Sequence, residues 1–257
     1  MIEILKRILL PGGLRARFQP VYELSGASRA CHYFEALIRG PRGSTVESPD
    51  ILFDYARQKG QEAAVDRACA RVILRAARGL PEDVRVGINV HASTLASDPK
   101  FSLLLSDAAA ESGIRLGRIV IELVEHARPW GAMSFQKALS GLRSDGVGIA
   151  LDDVGMGESN FKMILDARPD YFKIDRYFVH GAQEDRYRQA VLDVVAELAR
   201  RFDARVVAEG VETAADLEAV RQAGISLGQG YLFGGILEED PASGALGEAG
   251  PSEWQEA

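Results

Sequence analysis

Eight short β-rich runs, with helical material between most of them, leave this chain few folds to choose from. The runs are 16–24 (ARFQPVYEL), 32–39 (HYFEALIR), 84–90 (VRVGINV), 119–125 (IVIELVE), 147–153 (VGIALDD), 171–175 (YFKID), 205–210 (RVVAEG) and 225–233 (ISLGQGYLF). From the third onward they recur at about the spacing of a strand-plus-helix unit. Eight such units in 257 residues point to an α/β fold, a (β/α)8 barrel. A doubly wound open sheet is the competing arrangement. It would carry a Gly-rich phosphate loop after its first strand, and none follows residues 16–24. Only SGASRA (25–30) separates the first two runs. Parallel neighbours need a crossover of about a dozen residues, so a hairpin and an antiparallel first strand are expected.

Residues 1–14 read as a helical lead-in and 15–237 as the barrel. Residues 238–257, rich in Pro, Gly, Ser and Glu, read as a loose tail or a marginal last helix. Helical spacing is evident over 48–60, 62–79, 100–112, 132–144, 159–167, 185–202 and 213–223. In 185–202 the expected buried stripe is Val191, Val194, Val195 and Leu198. Thr213 is the expected N-cap of the last helix, and Gly224 its stop.

Net charge bounds the partners. With 30 Lys and Arg against 37 Asp and Glu the chain carries −7, which disfavours a broad DNA- or RNA-binding face. A small anion remains possible if something local supplies positive charge. Cys31 and Cys69 form no CxxC pattern and suggest a reducing compartment. No signal peptide is expected from MIEILKRILLPGG, and no run approaches the ~20 apolar residues of a membrane span, so the reading is cytoplasmic with no membrane contact.

The polar residues carry the functional signal by their position. Near the C-terminal ends of successive runs stand Glu35, Asn89, Glu122, Asp152 with Asp153, Lys173 with Asp175, Glu209 and Gln229. In a barrel those ends form one rim, where barrel enzymes keep their chemistry. Any single strand-embedded Glu is also explained as a satisfied structural acid. Several carboxylates converging on one rim repel one another, and divalent cations remove that cost. Oxygen-only donors suit Mg²⁺, Mn²⁺ or Ca²⁺ rather than zinc. Adjacent Asp152 and Asp153 at a strand end can turn toward one centre and serve two cations, the usual clamp for displacement at phosphorus. Lys173 would stand beside them. His32, His91, His126 and His180 show no metal-binding spacing and read as surface or packing residues. No GxSxG or GxxxxGK[ST] occurs.

At these residues the sequence resembles the EAL-domain family, the cyclic di-GMP phosphodiesterases of bacterial signalling. The segments FQPV (18–21), EALIR (35–39), INV (88–90), IELVE (121–125), DDVGMG (152–157), FKID (172–175), VAEGVET (207–213) and QGYLF (229–233) follow the family's order. The resemblance implies a barrel with an antiparallel first strand and hydrolysis of cyclic di-GMP to linear pGpG. It implies two Mg²⁺ or Mn²⁺ ions, with Ca²⁺ inhibitory, on Glu35, Asn89, Glu122, Asp152, Asp153 and Glu209. Lys173 matches the water-holding lysine, and Glu209 is also viewed as a general base. Substrate contacts fall on Gln19, Arg39 and Gln229, and supporting roles on Glu125, Asp175 and Glu212. A homodimer is implied, with a sensory domain or protein partner for regulation.

The loop after the fifth run departs from the family pattern DDFGTGYSS: Val154, Met156, Glu158 and Asn160 stand where Phe, Thr, Tyr and Ser are usual. Loss of the Thr hydroxyl at Met156 removes a tie to Glu125. Two readings follow: an active phosphodiesterase, or a receptor that holds cyclic di-GMP with little turnover and signals through a partner. A domain that binds no nucleotide is disfavoured by Gln19, Arg39 and Glu35.

Overall fold

The computed structural model describes residues 2–10, 12–25, 30–124, 132–156, 161–239 and 246–248. A short helix, α1 (Ile2–Leu9), leads into β1 (Arg15–Glu23), which turns back into β2 (Cys31–Arg39). There follow α2 (Pro49–Gln58), α3 (Glu62–Ala76), β3 (Arg85–His91), α4 (Ala92–Ser97), α5 (Phe101–Glu111) and β4 (Ile119–Val124). The second half runs α6 (Ala132–Ser144), β5 (Gly148–Leu151), α7 (Phe161–Ala167), β6 (Tyr171–Ile174), α8 (Arg176–Val179) and α9 (Arg186–Arg201). It ends with β7 (Arg205–Ala208), α10 (Ala214–Gln222), β8 (Leu227–Gly228) and two three-residue strands, β9 (Leu237–Glu239) and β10 (Leu246–Glu248).

Strands β2 to β8 are parallel in sequence order, and β1 closes the barrel by pairing antiparallel with both β2 and β8. The hairpin expected from the short 25–30 connection is therefore present. Its register sets Gln19 opposite Glu35 and Arg15 opposite Arg39. Outside the barrel wall, the apolar stripes of the helices pack on outward-facing strand residues such as Phe18, Ile88, Ile121 and Phe172 in one continuous core. Inside, a smaller layer of Val21, Tyr33, Val120, Ala150, Val207 and Leu227 fills the lumen. The barrel is thus a packed floor under its rim, not a pore.

Local signals account for most helix limits. Asp185 caps α9 by accepting from the N–H groups of Tyr187 and Arg188. Thr213 and Asp216 form a reciprocal capping box at α10, and Gly224 follows with φ +77°. The stripe expected on the 185–202 helix is corrected in part: Val195 is buried and Leu198 packs against the core as expected, whereas Val191 and Val194 do not. α9 buries Leu192, Val195 and Ala199, while Val191 and Val194 face solvent at 36% and 65% exposure. Positions 192, 195 and 199 also repeat at helical spacing, and the small Ala199 lets the helix end sit close: its carbonyl accepts from Ala204 N at the turn into β7. The last run is also shorter than expected. After β8 the chain bends at Gly230 (φ +152°), where a Cβ would stand 2.3 Å from the Val211 carbonyl oxygen, and Tyr231–Phe233 form one 3-10 turn.

β9 lies against the outer end of β1, Glu238 opposite Arg17 and Leu237 opposite Phe18, and β10 pairs with β9. Glu238 binds Arg15 at 2.6 Å, Arg17 at 3.0 Å and Arg42 at 3.3 Å. No described helix is long and apolar enough to cross a membrane.

Candidate metal centre

Strands β2, β3, β4 and β6 deliver their polar residues to the rim by alternation. Glu35 shares the inward face of β2 with Tyr33 and Leu37, and parallel register sets Asn89 on β3 beside Glu122 on β4. β5 ends at Leu151, so Asp152 and Asp153 lie where the pleat no longer governs direction. Asp153 takes φ +51°, a left-handed conformation that lets two adjacent carboxylates approach one centre. Lys173 lies inside β6 and Glu209 just after β7.

These side chains converge. Oxygens of Glu35, Glu122 and Asp152 lie within 4.8 Å of one another, and so do oxygens of Asp152, Asp153 and Glu209, making Asp152 common to both groups. The Lys173 ammonium sits among them, 2.7 Å from Glu122, 2.8 Å from Glu209 and 3.1 Å from both Glu35 and Asp152. Asn89 Nδ2 donates to Glu35 at 3.3 Å, and Gln229 Nε2 donates to Glu35 at 2.7 Å and to Glu209 at 3.1 Å.

Burial and crowding set the protonation. Burial drives Glu122 up to about 8, with the charges of Glu35 and Asp152 adding to it against the pull of Lys173. Burial and then Asp152 raise Asp153 to about 6. Asp152 and Glu209 are also raised, again chiefly by burial. Burial would raise Glu35 too, but the Lys173 ammonium and the amide of Gln229 hold it below the usual carboxylate range. Lys173 is driven the other way: four carboxylates outweigh its burial and keep it charged.

The donor set fits hard divalent cations. Asn89 Oδ1 is a buried acceptor with no hydrogen-bond partner among the described residues, beside carboxylates that crowd one another. One ammonium cannot satisfy so many oxygens. Cations bound by oxygen would.

The other expected residues lie at varying distances from this cluster. Gln19 is half-buried on β1 opposite Glu35. Arg39, buried at the end of β2, donates to its neighbour's carbonyl (Ile38, 2.9 Å). It lines a cavity of about 370 Å³ with Phe53, Arg57, Asn89, His91 and Asp152. Asp175 caps α8, accepting from Tyr177 N at 2.7 Å. Glu212 is exposed, and its N–H faces Asp216. Glu125, His126, Glu158 and Asn160 lie outside the described residues.

Sequence reasoning missed Asp66. Fully buried on α3, it binds the His91 ring at 3.0 Å and the Thr94 hydroxyl at 2.5 Å, and the His91 ring packs at a tilt of 55° against Phe53 with centroids 4.8 Å apart. An acid inside the apolar stripe of 62–79 was the available signal. His91 is thus a packed residue of the cavity wall, and His180 is exposed, in keeping with the packing and surface readings.

The family model of the EAL domain matches residues 3–235. This chain belongs to the EAL-domain family. PdeG of Escherichia coli strain K12, a probable cyclic di-GMP phosphodiesterase, is 32% identical over 240 residues, covering 90% of this chain and 46% of PdeG. NbdA of Pseudomonas aeruginosa, a cyclic di-GMP phosphodiesterase, is 29% identical over 240 residues, covering 91% of this chain and 30% of NbdA. The chain therefore spans less than half the length of these relatives. Among solved structures, an EAL-domain protein from Listeria monocytogenes superposes with a TM-score of 0.78 at 22% identity, covering 92% of this chain and 93% of that one. Klebsiella pneumoniae BlrP1, solved as a calcium and cyclic di-GMP complex, gives 0.75 at 28% identity, covering 87% and 56%. The barrel with its reversed first strand is the EAL-domain barrel.

Proposed function

We propose that this chain is a divalent-metal-dependent phosphodiesterase that opens cyclic di-GMP to linear pGpG. The observation that carries the reading is the pair of carboxylate groups sharing Asp152 at the rim. Glu35, Asn89, Glu122 and Asp152 would hold one Mg²⁺ or Mn²⁺ ion, and Asp152, Asp153 and Glu209 the other, with Ca²⁺ inhibitory. When bound, such a pair lowers the pKa of a water and offsets phosphate charge. The protein's own part is positioning. Lys173 orients the attacking water, and Glu209, raised by burial, accepts its proton. The water oxygen bonds to phosphorus as the P–O3′ bond breaks, and a proton completes the released 3′-hydroxyl. Gln19 and Arg39 hold the substrate, the guanidinium by parallel hydrogen bonds. Gln229 is assigned to the substrate as well, through its free amide oxygen, while its NH₂ is engaged with Glu35 and Glu209. Supporting roles for Asp175, Glu212 and Glu125 belong to this reading.

A homodimer belongs to this reading, supported by the exposed apolar side chains Met133, Phe161 and Leu165 on α6 and α7. The free thiols of Cys31 and Cys69 support a cytoplasmic setting, with regulation from a sensory domain or protein partner. The receptor reading has one observation in its favour: Met156, exposed at 48%, occupies a loop position where the family pattern has Thr.

The deciding experiment incubates the protein with cyclic di-GMP and Mn²⁺ and resolves pGpG by chromatography. Product is expected, and Glu35→Ala and Lys173→Ala should each lower its rate by at least about a hundredfold. Tight binding in Ca²⁺ without product in Mn²⁺ would select the receptor instead. Rates equal to the unaltered protein's in either variant would sink the assigned roles.

A further inference from the structure

One layer below the acidic cluster stands a polar atom with nothing to bind. Tyr33 precedes Glu35 by two residues on β2, so both side chains enter the lumen. The tyrosine is 0% exposed, and its hydroxyl has no hydrogen-bond partner among the described residues. Glu122, also 0% exposed, has an Oε1 in the same condition. Buried polar atoms are almost always bonded, and leaving one unmade costs about 1–3 kcal/mol.

The two atoms share a neighbour. Gly87 on β3 lies beside Glu35 in the parallel register. A Cβ built there would stand 2.1 Å from Glu122 Oε1 and 3.1 Å from Tyr33 Cε2. The missing side chain is what allows the carboxylate and the phenol ring to approach. Beneath, the ring packs on Tyr171 with centroids 5.8 Å apart, and the Tyr171 hydroxyl is engaged by Arg85 at 2.5 Å and His32 at 3.0 Å. Tyr33 thus rests on a layer held from the far end of the barrel.

We propose that Tyr33 is a positioning residue for Glu122. Across the gap at Gly87 its hydroxyl donates through one bridging water to Glu122 Oε1, and keeps the carboxylate turned toward Asp152. The inference rests on the metal-site reading above. Groups that orient a metal ligand are typically worth 10–100-fold in affinity.

The test is a calorimetric titration of the full chain with Mn²⁺. Tyr33→Phe keeps the ring and removes the donor, so it should bind Mn²⁺ roughly tenfold more weakly. Its thermal midpoint in EDTA should not fall. In a Glu122→Ala background, which removes the accepting oxygen, the same substitution should add no further loss, because both changes act through one contact. Undiminished Mn²⁺ affinity in Tyr33→Phe, or an equal loss in both backgrounds, refutes the positioning role and leaves the metal site standing. No Mn²⁺ binding by the unaltered protein refutes both.

Discussion

Lys173 and its four carboxylate partners show how one residue sets the chemistry of a site. A lone ammonium in a packed barrel would lose its charge to burial. Here the surrounding acids hold the charge, and the lysine in turn holds them close together. The acids remain crowded, which makes the centre sensitive to pH. Protons compete with a cation for Asp153 up to about pH 6 and for Glu122 up to about pH 8. Mn²⁺ affinity, read by calorimetry, should therefore rise between those values and level off above them. The same shifts bear on stability. A carboxylate raised on folding stabilises the fold at low pH and loses that contribution as pH climbs through its folded pKa. For Glu122 the window runs from 4.5 to about 8. Glu35 is lowered, so its contribution is lost only as pH falls below the ordinary range, outside this window. His32 and His91 shift in opposite directions. The protein in EDTA should melt at a lower temperature at pH 8 than at pH 5, and Mn²⁺ should restore more at pH 8. A flat profile would mean the acids are not protonated as described.

Among the elements, the turn after β5 matters most, because it decides where Asp153 points. Its backbone is tied at two places: Val154 N donates to the Lys173 carbonyl at 3.0 Å, and Met156 N to the Asp153 carbonyl at 3.0 Å. The left-handed Asp153 is held by those contacts and by Phe178, whose ring would meet a Cβ at Gly155 at 3.0 Å. Met156 itself is half in solvent and adds little. Met156→Thr offers a hydroxyl for a local hydrogen bond, worth about 1 kcal/mol. If loop anchoring limits turnover, the substitution should raise the pGpG rate several-fold; an unchanged rate removes that explanation. Element order and position were legible from periodicity, but this turn's conformation was not, since a positive φ at Asp153 depends on contacts with β6 and α8.

For the molecule as a whole, barrel closure hangs on β1, which runs antiparallel to both of its barrel neighbours, β2 and β8. Its outer end is clasped by β9 through Glu238, which binds three arginines. The Glu238 side chain is only 16% exposed, so these pairs are less screened than open surface bridges. Glu238→Ala should cost on the order of 1 kcal/mol, about 2–4 °C in the thermal midpoint for a domain of this size. An unshifted midpoint would make β9 an ornament of the fold. Nothing in the sequence pattern announced β9. Three residues cannot establish a period, and the strand finds a place because β8 pairs only with Tyr22 and Glu23 of β1, leaving the outer end of that edge for β9.

Spacing along the chain was enough to foretell the eight strands, the hairpin at the start and the rim positions of the acids, because alternation and helical period are properties of neighbours in sequence. Which face α9 would bury, how Asp153 would turn, and that Gly87 would open a gap between Tyr33 and Glu122 depended on atoms far apart in the chain meeting at van der Waals distance. Excluded volume and buried charge act only once those atoms have met, so these details belonged to the tertiary structure.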